Sequence, residues 1–408
     1  NNDAVLTGII RNLETQEPLE GAIVIVTGEK LQGERSMMTD ASGAYRIPDL
    51  PAGIYEVTVV YGQAKRKQKI ELRAGNTSRL DFRMRPAEDV SVLEVMTPPV
   101  DTTSSSQGLA IDNEMARRVP IVTPTGKGGA NRSFEAVAEA TPGAAGDRFG
   151  TSVAGTTSPE NKYYVDGLSV NDPGFGLNGT ALTVEFLQEV RVETGGYMPE
   201  FGRATGGIVN AVTKSGSNEF HGGVWAFYTP GQLEGYRKPP LREGATIQAE
   251  RQLLWLGDAG FDIGGRLIRD KLWFYGGVSI AHTRYDIKTS WNRVVVDPVT
   301  GIPLTDPATE FTVTERIPNS TVHRRAQGTT VQALAKLTWA VNKNHKLELL
   351  GIYAPNLSGG RGNYGIDAQT GAPQMPSATF GGLGTYGALA NQFRDDSADV
   401  QLEWNALS

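Results

Sequence analysis

A chain of 408 residues with 39% hydrophobic content can build two or three domains with sizeable cores. Its net charge is −6 and Lys and Arg form no extended run, which argues against nucleic acid as a partner. Cysteine is absent, excluding disulfide frameworks, thiol nucleophiles and Cys-based zinc sites. Glycine, at 49 residues, is well above its usual share, and with 22 prolines it points to turn-rich β structure. No stretch reaches the roughly 18 to 20 apolar residues of a spanning helix, so any membrane crossing must use strands. The chain opens Asn1-Asn2-Asp3, without Met or an apolar leader, as a chain relieved of its signal peptide would, or equally one trimmed at its start.

Residues 1–86 predict a small β-sandwich. Val5 to Ile10, Ala22 to Thr27, Ala44 to Ile47 and Ile54 to Tyr61 are short β-prone runs. Turn residues punctuate them: Pro18-Leu19-Glu20-Gly21, Thr39-Asp40-Ala41-Ser42-Gly43 and Pro51-Ala52-Gly53. The order Gly8, Pro18-Leu19, Gly21-Ala22, Thr39-Asp40, Gly43, Tyr45, Leu50-Pro51, Gly53, Tyr55 resembles the carboxypeptidase-regulatory-like domain. That resemblance implies a stabilising or partner-binding module and no catalysis.

Residues 87–110 are linker-like. Thr97 to Ser106 is rich in Pro, Ser and Thr and lacks apolar periodicity. Ahead of it lies Glu88-Asp89-Val90-Ser91-Val92-Leu93-Glu94-Val95-Met96, a β-prone run behind an acidic start. Two readings stand. It is a free segment able to add as a strand to a partner's sheet edge, or it is the last strand of the sandwich.

Residues 111–216 predict a small α+β unit. Phe134, Val137 and Ala138 have helical spacing, Ser133 is a candidate N-cap, and Thr141-Pro142-Gly143 ends the helix. Lys162 to Val165 and Glu189 to Glu193 predict strands, with Val184 to Leu187 a short helical turn. The unit carries Tyr163-Tyr164-Val165-Asp166-Gly167, Val190-Arg191-Val192-Glu193-Thr194-Gly195-Gly196, and a run from Glu200 to Gly216 that includes Gly202, Gly206 and Gly207. These motifs resemble the end of the plug of a TonB-dependent outer-membrane receptor. Glu200-Phe201-Gly202-Arg203 and Lys214 to Gly222, together with the sandwich, are most similar to the Oar-like subgroup.

The resemblance implies gated transport across a bacterial outer membrane. Val90, Ser91, Val92, Leu93, Glu94 and Val95 would form the Ton box, gripped in the periplasm by TonB and its inner-membrane energising complex. The subgroup implies peptide or protein cargo, bound at the outer face; from the residues, no cofactor and no enzymatic activity are expected. The rival reading is a surface adhesion or scaffold protein on the same architecture, without energised transport.

A plug requires a wall. Residues 217–408 should then hold amphipathic strands of about 9 to 11 residues, with alternating short and long joins. Six are expected, near 219–229, 255–266, 271–286, 328–340, 346–354 and 397–405. Ala398, Val400, Leu402 and Trp404 alternate with Asp399, Gln401 and Glu403. Ala259, Phe261 and Ile263 alternate with Asp258, Gly260 and Asp262. Val331, Ala333, Ala335, Leu337 and Trp339 alternate with Gln332, Lys336 and Thr338, broken only by Leu334. One face suits lipid and the other a hydrated lumen. Trp225, Phe227, Tyr228, Trp255, Trp273, Phe274, Tyr275, Trp339 and Tyr353 suit interfacial girdles. The intervals 230–254, 287–327 and 355–396 predict long unstructured outer loops. Outer-membrane transporters close with about 22 strands, so the chain is expected to be the beginning of a barrel.

Other chemistry is weakly marked. Eight glycines between 195 and 223 suggest positive φ and close approach of plug to wall. The run from Gly202 to Gly207 lacks the Gly-Lys-Ser/Thr ending of a phosphate loop. Asp166, Asn171 and Asp172 have oxygens that could bind Ca²⁺, though such residues more often cap turns. The histidines have no mutual metal spacing, and no Ser/His/Asp arrangement is visible.

Overall fold

A computed structural model describes residues 3–406, apart from 29, 32, 63, 86–90, 98–106, 119–131, 148, 181, 198–201, 203, 236–245, 343–344, 368–370 and 375–389. Of 91–97 it describes the backbone.

The first residues form two facing sheets. One sets Ala4–Asn12 between Ala44–Leu50 and the short parallel strands Thr77–Arg79 and Phe82–Met84. The other runs in the order Glu34–Met38, Ile23–Gly28, Gly53–Tyr61, Ala64–Leu72, Ser91–Thr97. Side chains of a strand alternate between faces, and the inward sets meet. Leu6, Ile10, Val24, Val26, Tyr55, Val57, Val59 and Ile70 belong to one buried cluster. The Tyr45 hydroxyl donates to the Leu80 carbonyl at 2.6 Å, so its polar tip is satisfied inside that core.

The central unit has a five-stranded sheet in the order Gln107–Asp112, Leu187–Gly195, Ile208–Thr213, Lys162–Val165, Leu168–Ser169. The expected helix is Phe134–Ala138, and the Ser133 side chain accepts from the Ala136 N–H at 3.4 Å as its N-cap; an unexpected helix, Asn113–Arg118, follows the strand Gln107–Asp112. Thr183 caps a single 3₁₀ turn, Val184–Phe186, that leads directly into the strand Leu187–Gly195.

The wall is six antiparallel strands, each beside its sequence neighbour: His221–Pro230, Ile247–Ile268, Leu272–Val294, Val322–Asn342, His345–Ser358 and Phe393–Ala406. Among the described residues it is an open sheet. Strand number and order agree with the sequence, but length does not. The third strand has 23 residues and the second 22, about twice what a bilayer needs. They continue past the length of a bilayer-crossing strand into the intervals expected to be unstructured. There Thr314–Arg316 also pairs with the end of the third strand. Backbone groups at the strand ends stay paired by extending the ladder, and periodicity cannot show where lipid stops.

The outward face is as expected. Val400, Leu402 and Trp404 are 75%, 71% and 65% exposed, on a strand whose Gln401 and Glu403 turn inward. Four of the presumed girdle aromatics are a correction. Trp225, Trp273 and Tyr275 are buried on the inner side, and Phe227 faces inward beneath Arg132. Their counterparts Tyr228, Trp339 and Tyr353 are exposed. Leu334, which breaks the alternation of its strand, lies in the same buried cluster as Phe186 and Trp225.

The two ends of the wall differ. The join at Asp270, with φ of +60°, is tight. The sandwich sits at this end, where the Asp3 carboxylate lies 3.5 Å from Lys346 Nζ. The long segments leave from the opposite end.

Candidate functional site

The Tyr163–Gly167 motif is a hairpin. Val165 pairs with Leu168, and the two residues between them have positive φ: +48° at Asp166 and +83° at Gly167. An Asp-Gly pair is favoured in such a turn, because both positions need left-handed backbone. The turn projects the Asp166 carboxylate at the wall. Asp166 accepts from the Thr213 N–H at 2.9 Å, from the Thr213 hydroxyl, and from Lys336 Nζ at 3.1 Å. Its carbonyl accepts from Gln401 Nε2 at 3.0 Å. One turn of the central unit is thereby tied to two wall strands.

Lys336 was legible only as a polar residue on an alternating strand. In the fold its ammonium is buried with Asp166 and lies 3.7 Å from Glu348. Glu348 also pairs with Lys346 at 2.8 Å, and Lys346 meets Asp3 of the sandwich. A continuous ionic chain therefore links central unit, wall and sandwich. The signal that could have found it is a lysine inside a membrane-depth strand, which requires a partner.

Further bonds fasten the same surfaces. Lys214 Nζ reaches Asp262 at 2.9 Å, and the Tyr275 hydroxyl donates to that carboxylate at 2.8 Å. The Thr183 N–H donates to Gln332 Oε1 at 2.8 Å, and the Thr180 hydroxyl donates to Asp399 at 2.7 Å. Glu185 is buried between Arg117 and Arg132. Arg132 also stacks over Phe227, 4.0 Å from the ring centroid. Phe186 meets Trp225 edge-on at 5.7 Å.

Other expected residues fall as follows. Tyr164 is half-buried and Val165 buried within the sheet. Gly206 and Gly207 are buried, and a side-chain carbon at either would strike Asn161 or Val153 respectively. Of the eight glycines only Gly196 has positive φ among the described residues, so close approach is the commoner reason for them. Gly202 is exposed in a turn. Asp166, Asn171 and Asp172 do not converge. Asn171 Oδ1 accepts from the Tyr163 N–H at 2.9 Å, while Asp172 caps Gly174 and Phe175 at 2.8 Å. Among the described residues no acidic or histidine group has a metal-binding arrangement. Val90 lies outside the described residues, and Ser91 to Val95 lie in the strand Ser91–Thr97 along the sandwich edge.

On the long-segment side, a cavity of about 370 Å³ opens between the central unit and the wall. Asn171, Asp172 and Asn178 line it from the central unit, and Asp395 and Asp399 from the sixth wall strand.

Residues 5–85 match the model of the carboxypeptidase regulatory-like domain, and residues 212–375 that of an outer membrane beta barrel domain. The chain is 42% identical over 393 residues to the TonB-dependent transporter Oar of Myxococcus xanthus. Over nearly its whole length the chain is similar in sequence to an Oar-type TonB-dependent transporter. The match covers 95% of the chain and 37% of that relative, so the chain spans a little over a third of the relative's length. The Oar-like resemblance places the apolar strand faces in the bacterial outer membrane. Among solved structures, a ferric enterobactin receptor mutant of Pseudomonas aeruginosa overlaps 74% of this chain and 38% of its own, with 14% identity and a TM-score of 0.42. The outer membrane transporter YddB of Escherichia coli overlaps 62% and 33%, with 14% identity and a TM-score of 0.38.

Proposed function

We propose that the chain is the gate-bearing part of a TonB-dependent outer-membrane transporter. Residues 111–216 are its plug and residues 217–408 the start of its wall. Cargo, a peptide or protein, meets the plug in the cavity on the long-segment side. TonB grips Val90 to Val95 on the sandwich side and pulls, opening a path along the inner face of the wall.

The observation that carries this reading is the Asp166–Lys336 junction. Plug and wall are held there by charges and hydrogen bonds that a directed pull can break one at a time. Such contacts stay strong only while dry and geometrically intact. A motion of the plug that admits water therefore weakens them together.

The test is capture by the periplasmic part of TonB, using the whole receptor in outer-membrane vesicles. Binding is expected, and deletion of Val90 to Met96 is expected to abolish it. Undiminished capture after that deletion would place the grip elsewhere. Transport that is unchanged in cells lacking TonB, with cell adhesion lost on removing the receptor, would favour the adhesin.

A further inference from the structure

The segment Ser91–Thr97 is already a strand in a sheet. It forms the edge of the second sandwich sheet, parallel to Ala64–Leu72. Arg66 pairs with Ser91 and Lys67 with Val92; after a register shift, Lys69 pairs with Met96 and Ile70 with Thr97. Leu93, Glu94 and Val95 thus face Gln68 alone, which breaks the ladder at its centre. Parallel pairing is slightly weaker per residue than antiparallel, and a bulge leaves backbone groups unpaired. The strand is held, but by a short and interrupted ladder.

The holding edge has a marked charge. Ala64–Leu72 carries Lys65, Arg66, Lys67 and Lys69 against one acid of its own, Glu71, with Lys67 also 2.6 Å from Glu56 on the neighbouring strand. Lysines on an edge strand discourage pairing with arbitrary strands. The segment that does pair carries Glu94 and follows Glu88-Asp89 in the sequence. The edge therefore selects for an acidic occupant, and the nearest one is tethered to it.

We propose that the sandwich is a keeper for the segment that TonB grips. This rests on Val90 to Val95 being that segment. The Lys-rich edge of Ala64–Leu72 and the sheet edge of TonB compete for it, and TonB binds only after the strand leaves the sandwich. Apparent affinity is then reduced by the fraction of receptor with the segment free. The interrupted ladder keeps that reduction small enough for an energised partner to overcome.

Residues 1–408 contain no cysteine, so an introduced pair meets no competing thiol among them. Lys67→Cys with Val92→Cys joins directly paired positions. In the whole receptor in vesicles, the pair is expected to oxidise readily. Its oxidised form should bind the periplasmic part of TonB at least about tenfold more weakly than its own reduced form. Lys65→Glu with Lys69→Glu should act oppositely and tighten binding severalfold, an effect that added salt mimics. Failure of the pair to oxidise would show that the strand is not docked and would overturn the proposal. Equal binding by oxidised and reduced forms would overturn the keeper alone, with TonB adding to the outer edge of the docked strand. Capture that ignores deletion of Val90 to Met96 would remove the grip reading and the keeper together.

Discussion

The sandwich and the plug region are both small β-rich units, but they keep their cores differently. The sandwich buries Leu6, Ile10, Val57 and Phe82 against one another, and among the described side chains its cluster contains none from beyond Met84. The plug region buries Phe134, Tyr163 and Phe186 together with Trp225, Tyr275, Leu334, Leu350 and Ile352 of the wall. The first unit can hold its shape by itself; the second is completed by the surface that surrounds it. On the proposed function the second unit moves, and the ion pairs at Asp166 and Asp262 are contacts that can be remade, since each partner can return to water.

Lys336→Met would test this difference most strongly. Removing the ammonium leaves the Asp166 carboxylate buried without its cation, at a cost of about 3–5 kcal/mol. Hydrogen exchange should accelerate in Lys162–Val165 and Ile208–Thr213 while the sandwich strands stay protected. Adding Asp166→Asn should restore much of that protection. Unchanged exchange in the single variant would mean that the plug does not depend on the wall.

Phe186→Ala and Phe82→Ala remove the same side chain from the two cores. Each should cost about 3–5 kcal/mol. Their reach should differ. Phe82→Ala should loosen only the sandwich, whereas Phe186→Ala should also expose Trp225, shifting its emission to the red in a variant that keeps only that tryptophan. If both changes stayed local, the shared core would carry no energy.

The outer face of the wall gives a smaller effect. Val400→Arg puts a charge where lipid is expected and should cost about 2–4 kcal/mol if Val400 lies near the bilayer midplane. Folded yield in lipid bilayers, compared with that of Val400→Leu, reads it directly. Equal yields would mean that this face is not against lipid.

The smallest effect concerns the junction between the two units. Burial raises the Glu189 carboxyl above its usual range, against the opposing pull of Arg191, Arg73 and the Ala74 N–H. A raised carboxyl binds more protons in the folded protein than in the unfolded one. Its contribution is therefore fully present below the unfolded value and is lost as pH rises through the folded one. Protection of the Ala74 amide, which donates to Glu189 at 3.2 Å, should fall across the acid range towards neutrality. Glu189→Gln should flatten that dependence.

Much of this was legible before any coordinates. The alternation from Ala398 to Trp404 fixed which side chains face lipid, because a strand has only two faces. Asp166-Gly167 marked a tight turn, because few residue pairs tolerate left-handed backbone. Ser133 marked the start of a helix, because its hydroxyl can serve an unpaired N–H. Each of these signals is local, and the local chain decides it.

Partners were not legible. Lys336 carried no sign that it would meet Asp166, 170 positions away in the chain. Trp225 and Tyr275 looked like girdle aromatics because strand position alone does not say which aromatic meets a plug. The run from Ser91 to Thr97 fitted both a free segment and a sandwich strand. Its sequence shows that it can pair, and the fold supplied an edge to pair with. By itself the sequence determined the types of element, their order and the polarity of each face, which follow from periodicity and turn chemistry. Only the tertiary structure decided which faces share a core and which charges neutralise one another, because those energies arise between residues far apart in the chain.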